Sequence, residues 1–206
     1  MPIKLSLTQF ITFKSKVSTS ARINYLRTQV KGNDYSPAID YWRPLRSKIK
    51  QFARGEITEN QLQSFASSVP ENKRKNYVKD TRNFLYFVQN YSPNFFEVNK
   101  ASWNFGDRLV ISATPELGVK NANGEKYLIK NFYTVKKPDD KLIKRNILPS
   151  LTLMQFANQD TIKQGATPAI LNLRNGKLIT ATPSDLIDPI ELEIDAQQII
   201  DIWDKI

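Results

Sequence analysis

The hydrophobic period of this chain changes near residue 95, and that change constrains its fold more than any other feature. Before it, apolar residues recur at three- and four-residue steps, as on amphipathic helices. After it, short apolar or alternating runs are set apart by turn signals, as in strands. At 206 residues the chain is long enough for one domain with a sizeable core, or a small domain carrying a helical extension. The pattern predicts an α/β (α+β) protein: an N-terminal helical bundle followed by a mixed, hairpin-rich sheet with flanking helices.

In the front part, Ser6 and Gln9 are spaced as a capping box, which predicts a helix over 6–16 with Leu7, Phe10, Ile11 and Phe13 on its inner face. Ser18-Thr19-Ser20 breaks the pattern before a helix over 21–31, closed by Gly32-Asn33. Ser36-Pro37 reads as the next helix start, with the segment running to Arg54 and Ile39, Trp42, Leu45, Ile49 and Phe52 inward. Pro44 is expected to kink or restart it, because its nitrogen cannot donate a backbone bond. Helices over 56–67 and 70–90 follow, the second with Tyr77, Val78, Phe84, Leu85 and Val88 on one side. Residues 1–95 are thus read as a basic helical region whose last helix is placed to pack on the sheet. Residues 96–206 are read as the mixed sheet, its flanking helices and an acidic C-terminal segment.

Strands are expected over 109–114, 117–120 and 126–135, with Pro115-Glu116 after the first and an Asn123-Gly124 turn before the last. Pro138-Asp139-Asp140 then opens a helix through Leu142, Ile143 and Ile147 that bends at Pro149 and ends near Asn158. A second strand pair, 168–173 and 178–182, is joined by Asn175-Gly176, and a helix over 196–206 closes the chain. Asp185, Asp188, Glu191, Glu193 and Asp195 lack calcium-loop spacing, are interrupted by Pro183 and Pro189, and read as a solvated linker.

From residue 70 the order is helix, three strands, helix, two strands, with Glu116 near the second strand and Lys130 inside the third. That order and those residues resemble the PD-(D/E)XK nuclease-like superfamily, with a degenerate motif: Leu128 stands where the family has an acid two residues before its lysine. The resemblance covers residues 70–182 and implies a PD-(D/E)XK-like α/β sandwich. It further implies Glu116 as a Mg2+ ligand and Lys130 as the residue that positions or activates the attacking water. Asp80, Asp107 and Glu125 are the candidates for a displaced second ligand. Thr114-Pro115-Glu116-Leu117-Gly118 with Gly124-Glu125-Lys126-Tyr127-Leu128-Ile129-Lys130 is also similar to uncharacterised bacterial proteins carrying N-P-E-L-G followed by G-x-x-Y-x-I-K.

Composition narrows the chemistry. There is no cysteine and no histidine, which excludes disulfides, thiolate and HExxH zinc sites, and any histidine general base. Carboxylate, lysine, tyrosine and hydroxyl chemistry remains, and a hard cation such as Mg2+ is the one cofactor this residue set suits. No GxGxxG or P-loop occurs. Net charge is +10 over residues 1–100, +6 over 101–177 and −6 over 178–206. The basic part favours a polyanion, nucleic acid first; the acidic tail can fold back on it or meet a protein partner. No apolar run approaches the roughly 20 residues of a membrane span. The N-terminus lacks the pattern of a secretory signal, so a cytoplasmic location is expected.

The basic residues have their own helical spacing. Arg46, Lys50 and Arg54 recur at i, i+4 and i+8, with Arg43 a turn earlier, and Lys75, Lys79 and Arg82 recur on the 70–90 helix. Two such stripes can track a phosphate backbone without reading sequence, and Tyr25, Tyr35, Tyr41 and Tyr86 are candidates for base stacking. Three readings follow. The leading one is a nucleic-acid-binding protein on a degenerate nuclease-like scaffold, non-catalytic or part of a larger nucleoprotein assembly. The second is a Mg2+-dependent endonuclease using Glu116 and Lys130. The third is a protein-interaction adaptor that takes no nucleic acid.

Overall fold

Ile3 and Leu5 are buried while Lys4 and Ser6 are exposed, and this brief period of two makes a strand ahead of the first expected helix. A computed structural model describes residues 1–32, 40–133, 144–181, 186 and 188–206, without the side chains of 144 and 145. Strand β1 (Ile3–Ser6) pairs in parallel with β4 (Leu109–Ser112), and β3 (Ser102–Phe105) lies antiparallel on β4's other side. Helix α1 (Leu7–Ser15) starts at once, closed by the expected capping box, in which Ser6 and Gln9 exchange side-chain and backbone bonds. Ser18 caps α2 (Thr19–Tyr25), which runs on as a π-helical turn over Leu26–Lys31.

A five-stranded sheet forms the centre, in the order β2 (Asn94–Phe96), β5 (Leu117–Lys120), β6 (Lys126–Phe132), β7 (Ala166–Asn172), β8 (Lys177–Thr180). Within this sheet β6 and β7 pair in parallel, and such a pair needs a long crossover. That crossover carries α6 (Lys144–Ala157) and α7 (Gln159–Lys163). Of the three strands expected between 109 and 135, the first therefore lies in the smaller sheet and the other two in the larger. Gly124 turns the β5–β6 hairpin at φ +86°, and the Asn121 side chain accepts from the backbone N–H groups of Asn123 and Glu125.

The two faces of the central sheet bury separate clusters. Leu128, Phe132, Ala166 and Ile170 pack with α1, α6, the smaller sheet and α8 (Pro189–Lys205). Leu117, Val119, Ile129, Ala169 and Leu171 pack with α3 (Arg43–Ala53), α4 (Glu59–Ser68) and α5 (Glu71–Tyr91). This is an α/β sandwich around a mixed, hairpin-rich sheet, with three consecutive helices from the front part covering one face. The β1–β4 pairing joins residues on the two sides of position 95.

Several local expectations change. Pro44 lies in the first turn of α3, where no intrahelical donor is needed, so of the two expected outcomes it restarts the helix and does not kink it. The Ser36-Pro37 start, Tyr35 and Ile39 lie outside the described residues, as do Pro138-Asp139-Asp140, Leu142, Ile143, Val135, Pro183 and Asp185. Val78 is 42% exposed instead of inward. Trp103 and Phe105 belong to β3, and Phe95 and Phe96 to β2; neither strand was expected. The acidic stretch is no linker: Asp188 caps α8, Pro189 fills its first position, and Glu191, Glu193 and Asp195 are helical. That helix folds back on basic residues, with Lys14 Nζ 2.6 Å from the Asp195 carboxylate and Arg108 2.7 Å from Asp204.

Candidate functional site

The register of the β5–β6 hairpin sets the site. Leu117 pairs with Ile129, and the backbone N–H of Glu116 donates to the Ile129 carbonyl at 2.8 Å, so Glu116 stands across from Lys130. Lys130 Nζ donates to Glu116 Oε1 at 2.6 Å. The other carboxylate oxygen, Oε2, accepts from Asn131 Nδ2 at 3.1 Å and from the Tyr133 hydroxyl at 2.8 Å. Arg46 arrives from α3, its Nε 3.5 Å from Glu116 Oε1 and its Nη1 3.2 Å from Asp40. Its guanidinium lies 5.6 Å from the centre of the Tyr133 ring, and Trp42 stacks on both Tyr133 and Tyr77. Three residues singled out in the sequence, Glu116, Lys130 and Arg46, thus meet; Asn131, Tyr133 and Asp40 join them without having been singled out.

The Glu116 side chain is 4% exposed. Burial alone would raise its pKa, but Lys130 and Arg46, together with the bonds from Lys130 and Tyr133, outweigh that and hold it below the ordinary 4.5. Tyr133 is pushed well above 10 by burial and by the adjacent carboxylate, so it stays a neutral donor. Arg46 loses some basicity to burial and regains more from Glu116, Tyr133 and Asp40. The cluster is an ionised carboxylate enclosed by donors.

This donor set does not fit Mg2+. Each oxygen of Glu116 already accepts from side chains that a cation would have to displace, and two of its neighbours are themselves cations. Leu128, two residues before Lys130, stands opposite Gly118 and is 1% exposed in the core, so it brings no second acid. No substitute converges. Glu125 is bound to Asn121 and Tyr127 at the far, turn end of the hairpin, Asp107 lies on the β3–β4 turn, and Asp80 is buried on α5. Among the described residues no group of three or more acidic side chains could hold a metal ion.

A cleft of about 710 Å3 opens beside the cluster, between α3, β2 and the start of β5. Glu116 reaches its wall together with Lys50, Arg54, Lys100 and Glu97. Lys50 is half-buried, and its pKa is lowered first by that burial; Glu116 raises it, while Lys130, Arg46 and Arg54 lower it further. Phe96 lies against Gly118 so closely that a Cβ there would sit 2.4 Å from its ring. The expected α3 stripe is therefore graded: Arg46 turns inward to Asp40 and Glu116, Lys50 lines the cleft, and Arg54 is exposed beside Glu56 at 3.5 Å. Arg43 is exposed at the first position of α3. On α5, Lys75 and Arg82 are exposed and Lys79 is half-exposed.

The fold has likenesses among solved structures. The chain superposes on the crystal structure of a "Putative exonuclease" from Eubacterium rectale with a TM-score of 0.51, over 98% of this chain and 82% of that one, at 10% identity. At that identity the likeness is one of fold: a mixed α/β architecture shared with an exonuclease-like neighbour. The crystal structure of SSO0001 aligns over 98% of this chain and 77% of its own at 12% identity, with a TM-score of 0.36, too low to bear on the fold. No protein-family model and no curated protein matches the sequence. Among the described residues, no helix is long and apolar enough to cross a membrane.

Proposed function

We propose that the chain binds nucleic acid through its phosphates, on a degenerate PD-(D/E)XK-like scaffold that does not perform metal-dependent cleavage at Glu116. The observation that carries this reading is a division of labour among the cations. Lys14, Arg46, Arg108 and Lys130 are paired with carboxylates. Lys75, Lys79 and Arg82 form no ion pair among the described residues, and they lie at helical spacing along α5. A surface row of uncommitted cations suits a polyanion better than a folding role, because it contributes repulsion to the free protein and gains on phosphate contact. Arg43 and Lys50 of α3 add cations on the same side of the central sheet, together with Arg54 just past its end, which lies 3.5 Å from Glu56. The fold likeness to an exonuclease-like protein points to the same class of ligand.

The test is binding of a labelled duplex and a labelled single strand across a salt series. The logarithm of affinity should fall linearly with the logarithm of salt concentration. Neutralising Lys75, Lys79 and Arg82 together should weaken binding on every sequence and flatten that slope by about 3. Binding that is absent at low salt, or a slope unchanged in the triple variant, overturns the reading. Cleavage that requires Mg2+ and disappears in Glu116→Gln would restore the endonuclease alternative. A stable protein partner with no nucleic-acid binding would favour the adaptor.

A further inference from the structure

The misfit between Glu116 and a metal has a consequence for the cleft next to it. In a metal-dependent site the acids would hold the cation and the cation would hold the phosphate. Here Glu116 is compensated internally by Lys130 at 2.6 Å and Arg46 at 3.5 Å, and Asn131 and Tyr133 occupy its second oxygen. The carboxylate is thereby removed as an electrostatic opponent of anything negative in the cleft. What the cleft wall then presents is Lys50, Arg54 and Lys100 against Glu97. Lys50 is the least satisfied of these. It is half-buried, has no ion pair among the described residues, and is flanked by cations whose repulsion an incoming anion would relieve.

We infer that this cleft is a metal-independent phosphate subsite, in which Lys50, aided by Arg54 and Lys100, takes one phosphate of a nucleic-acid ligand, and Glu116 serves as the fixed counter-ion that positions Lys130 and Arg46. Three cations lining one concave wall, Arg54 shared with Glu56, can replace a divalent ion as the positive partner of a phosphate, since lysine binds phosphate as a point charge and arginine as a planar fork. Phe95 and Phe96 give the same cleft an apolar wall, suited to the sugar or base attached to that phosphate. The inference rests on the nucleic-acid reading only for the source of the phosphate, which is either a strand end or an internal phosphodiester.

The experiment uses the full chain, with pyrophosphate and with short oligonucleotides that carry or lack a terminal phosphate, in EDTA and again with Mg2+. Lys50→Gln is the main variant, and melting curves confirm its fold. Pyrophosphate should raise the melting temperature of the wild type without Mg2+, and Lys50→Gln should reduce its affinity roughly tenfold or more, the loss expected of one charge-assisted contact. A preference for the phosphorylated oligonucleotide that Lys50→Gln abolishes assigns the subsite to a strand end. Equal binding of both, weakened by Lys50→Gln, assigns it to an internal phosphodiester. Unchanged affinity of Lys50→Gln for every probe, or binding that demands Mg2+, overturns the inference. Pyrophosphate binding with no oligonucleotide binding would reject the nucleic-acid source and leave the phosphate subsite standing. Oligonucleotide binding lost in the α5 triple variant but intact in Lys50→Gln would do the opposite.

Discussion

Replacing Glu116 by alanine tests whether this carboxylate is a structural counter-ion or a metal ligand, because the two roles move stability in opposite directions. The substitution leaves Lys130, whose side chain is 13% exposed, without its carboxylate, and strips the acceptor from Asn131 Nδ2 and the Tyr133 hydroxyl. Breaking a buried ion pair costs about 3–5 kcal/mol, and each orphaned buried donor costs about 1–3 kcal/mol. These losses overlap, and Lys130 retains some access to water, so the expected total is about 4 kcal/mol. Glu116→Gln keeps one acceptor and the shape of the side chain and should cost about 2 kcal/mol. Set against a typical domain stability of about 5–15 kcal/mol, the alanine variant loses a large share. Urea unfolding followed by tryptophan fluorescence is the natural assay, since Trp42 stacks on Tyr133 at 5.2 Å and reports on the cluster. The midpoint should fall with the slope unchanged. A Glu116→Ala protein as stable as the wild type, together with a wild type whose melting temperature rises in Mg2+, would refute the counter-ion reasoning, since catalytic and metal-binding acids commonly cost stability.

The same residue fixes a pH dependence. Its folded pKa lies below the ordinary 4.5, so the folded state holds its proton less tightly than the unfolded chain does. Stability from Glu116 is therefore complete above about 4.5 and is lost as pH falls through the lower folded value. Wild-type stability should drop steeply on acidification below that point. Glu116→Gln should lack this component, so the difference between the two proteins narrows in acid. A difference that stays constant across that range would contradict the depressed pKa.

Three further outcomes follow from the packing and ion pairs. Gly118→Ala places a Cβ 2.7 Å from the Phe96 backbone carbonyl as well as against its ring, and backbone cannot step aside; the variant should lose about 1–3 kcal/mol by denaturant unfolding and displace Phe96 at the cleft. Lys14→Met strands Asp195, which is 6% exposed in α8, and should cost on the order of 2 kcal/mol in the same measurement. Arg108→Ala breaks a pair whose side chains are 58% and 52% exposed, and should cost less than about 1 kcal/mol, a difference that 1 M salt erases.

How far the sequence could foretell this site depends on how local each contact is. Glu116 and Lys130 were singled out by the motif resemblance, and their contact follows from a hairpin that acts as a counting device. The Asn123-Gly124 turn sets Lys120 opposite Lys126, and alternation carries that register back to Glu116 and Lys130. The absent second acid was equally plain at Leu128. The fold class was legible from the change of period, whereas β1 was not, since its four residues form a strand only by pairing with a segment more than 100 positions away. The basic stripe on α3 is graded in the structure for a geometric reason that spacing does not register. Residues four apart on a helix of 3.6 residues per turn advance by about 40° at each step, so a row at i, i+4 and i+8 drifts by about 80° around the axis. That drift separates Arg46, turned to Glu116, from Lys50 at the cleft and Arg54 in solvent. Spacing alone registers three equivalent cations; only the angle at which α3 meets the sheet gives them three jobs. That angle is held by the stacking of Trp42 between Tyr77 and Tyr133, a contact among residues 35 to 91 positions apart in the chain. The sign of the site follows from the same docking. Had α3 brought an acid where it brings Arg46, Glu116 would have a partner for a metal; because it brings a cation, the carboxylate's charge is compensated within the cluster, which is the condition on which the proposed anion site in the cleft depends.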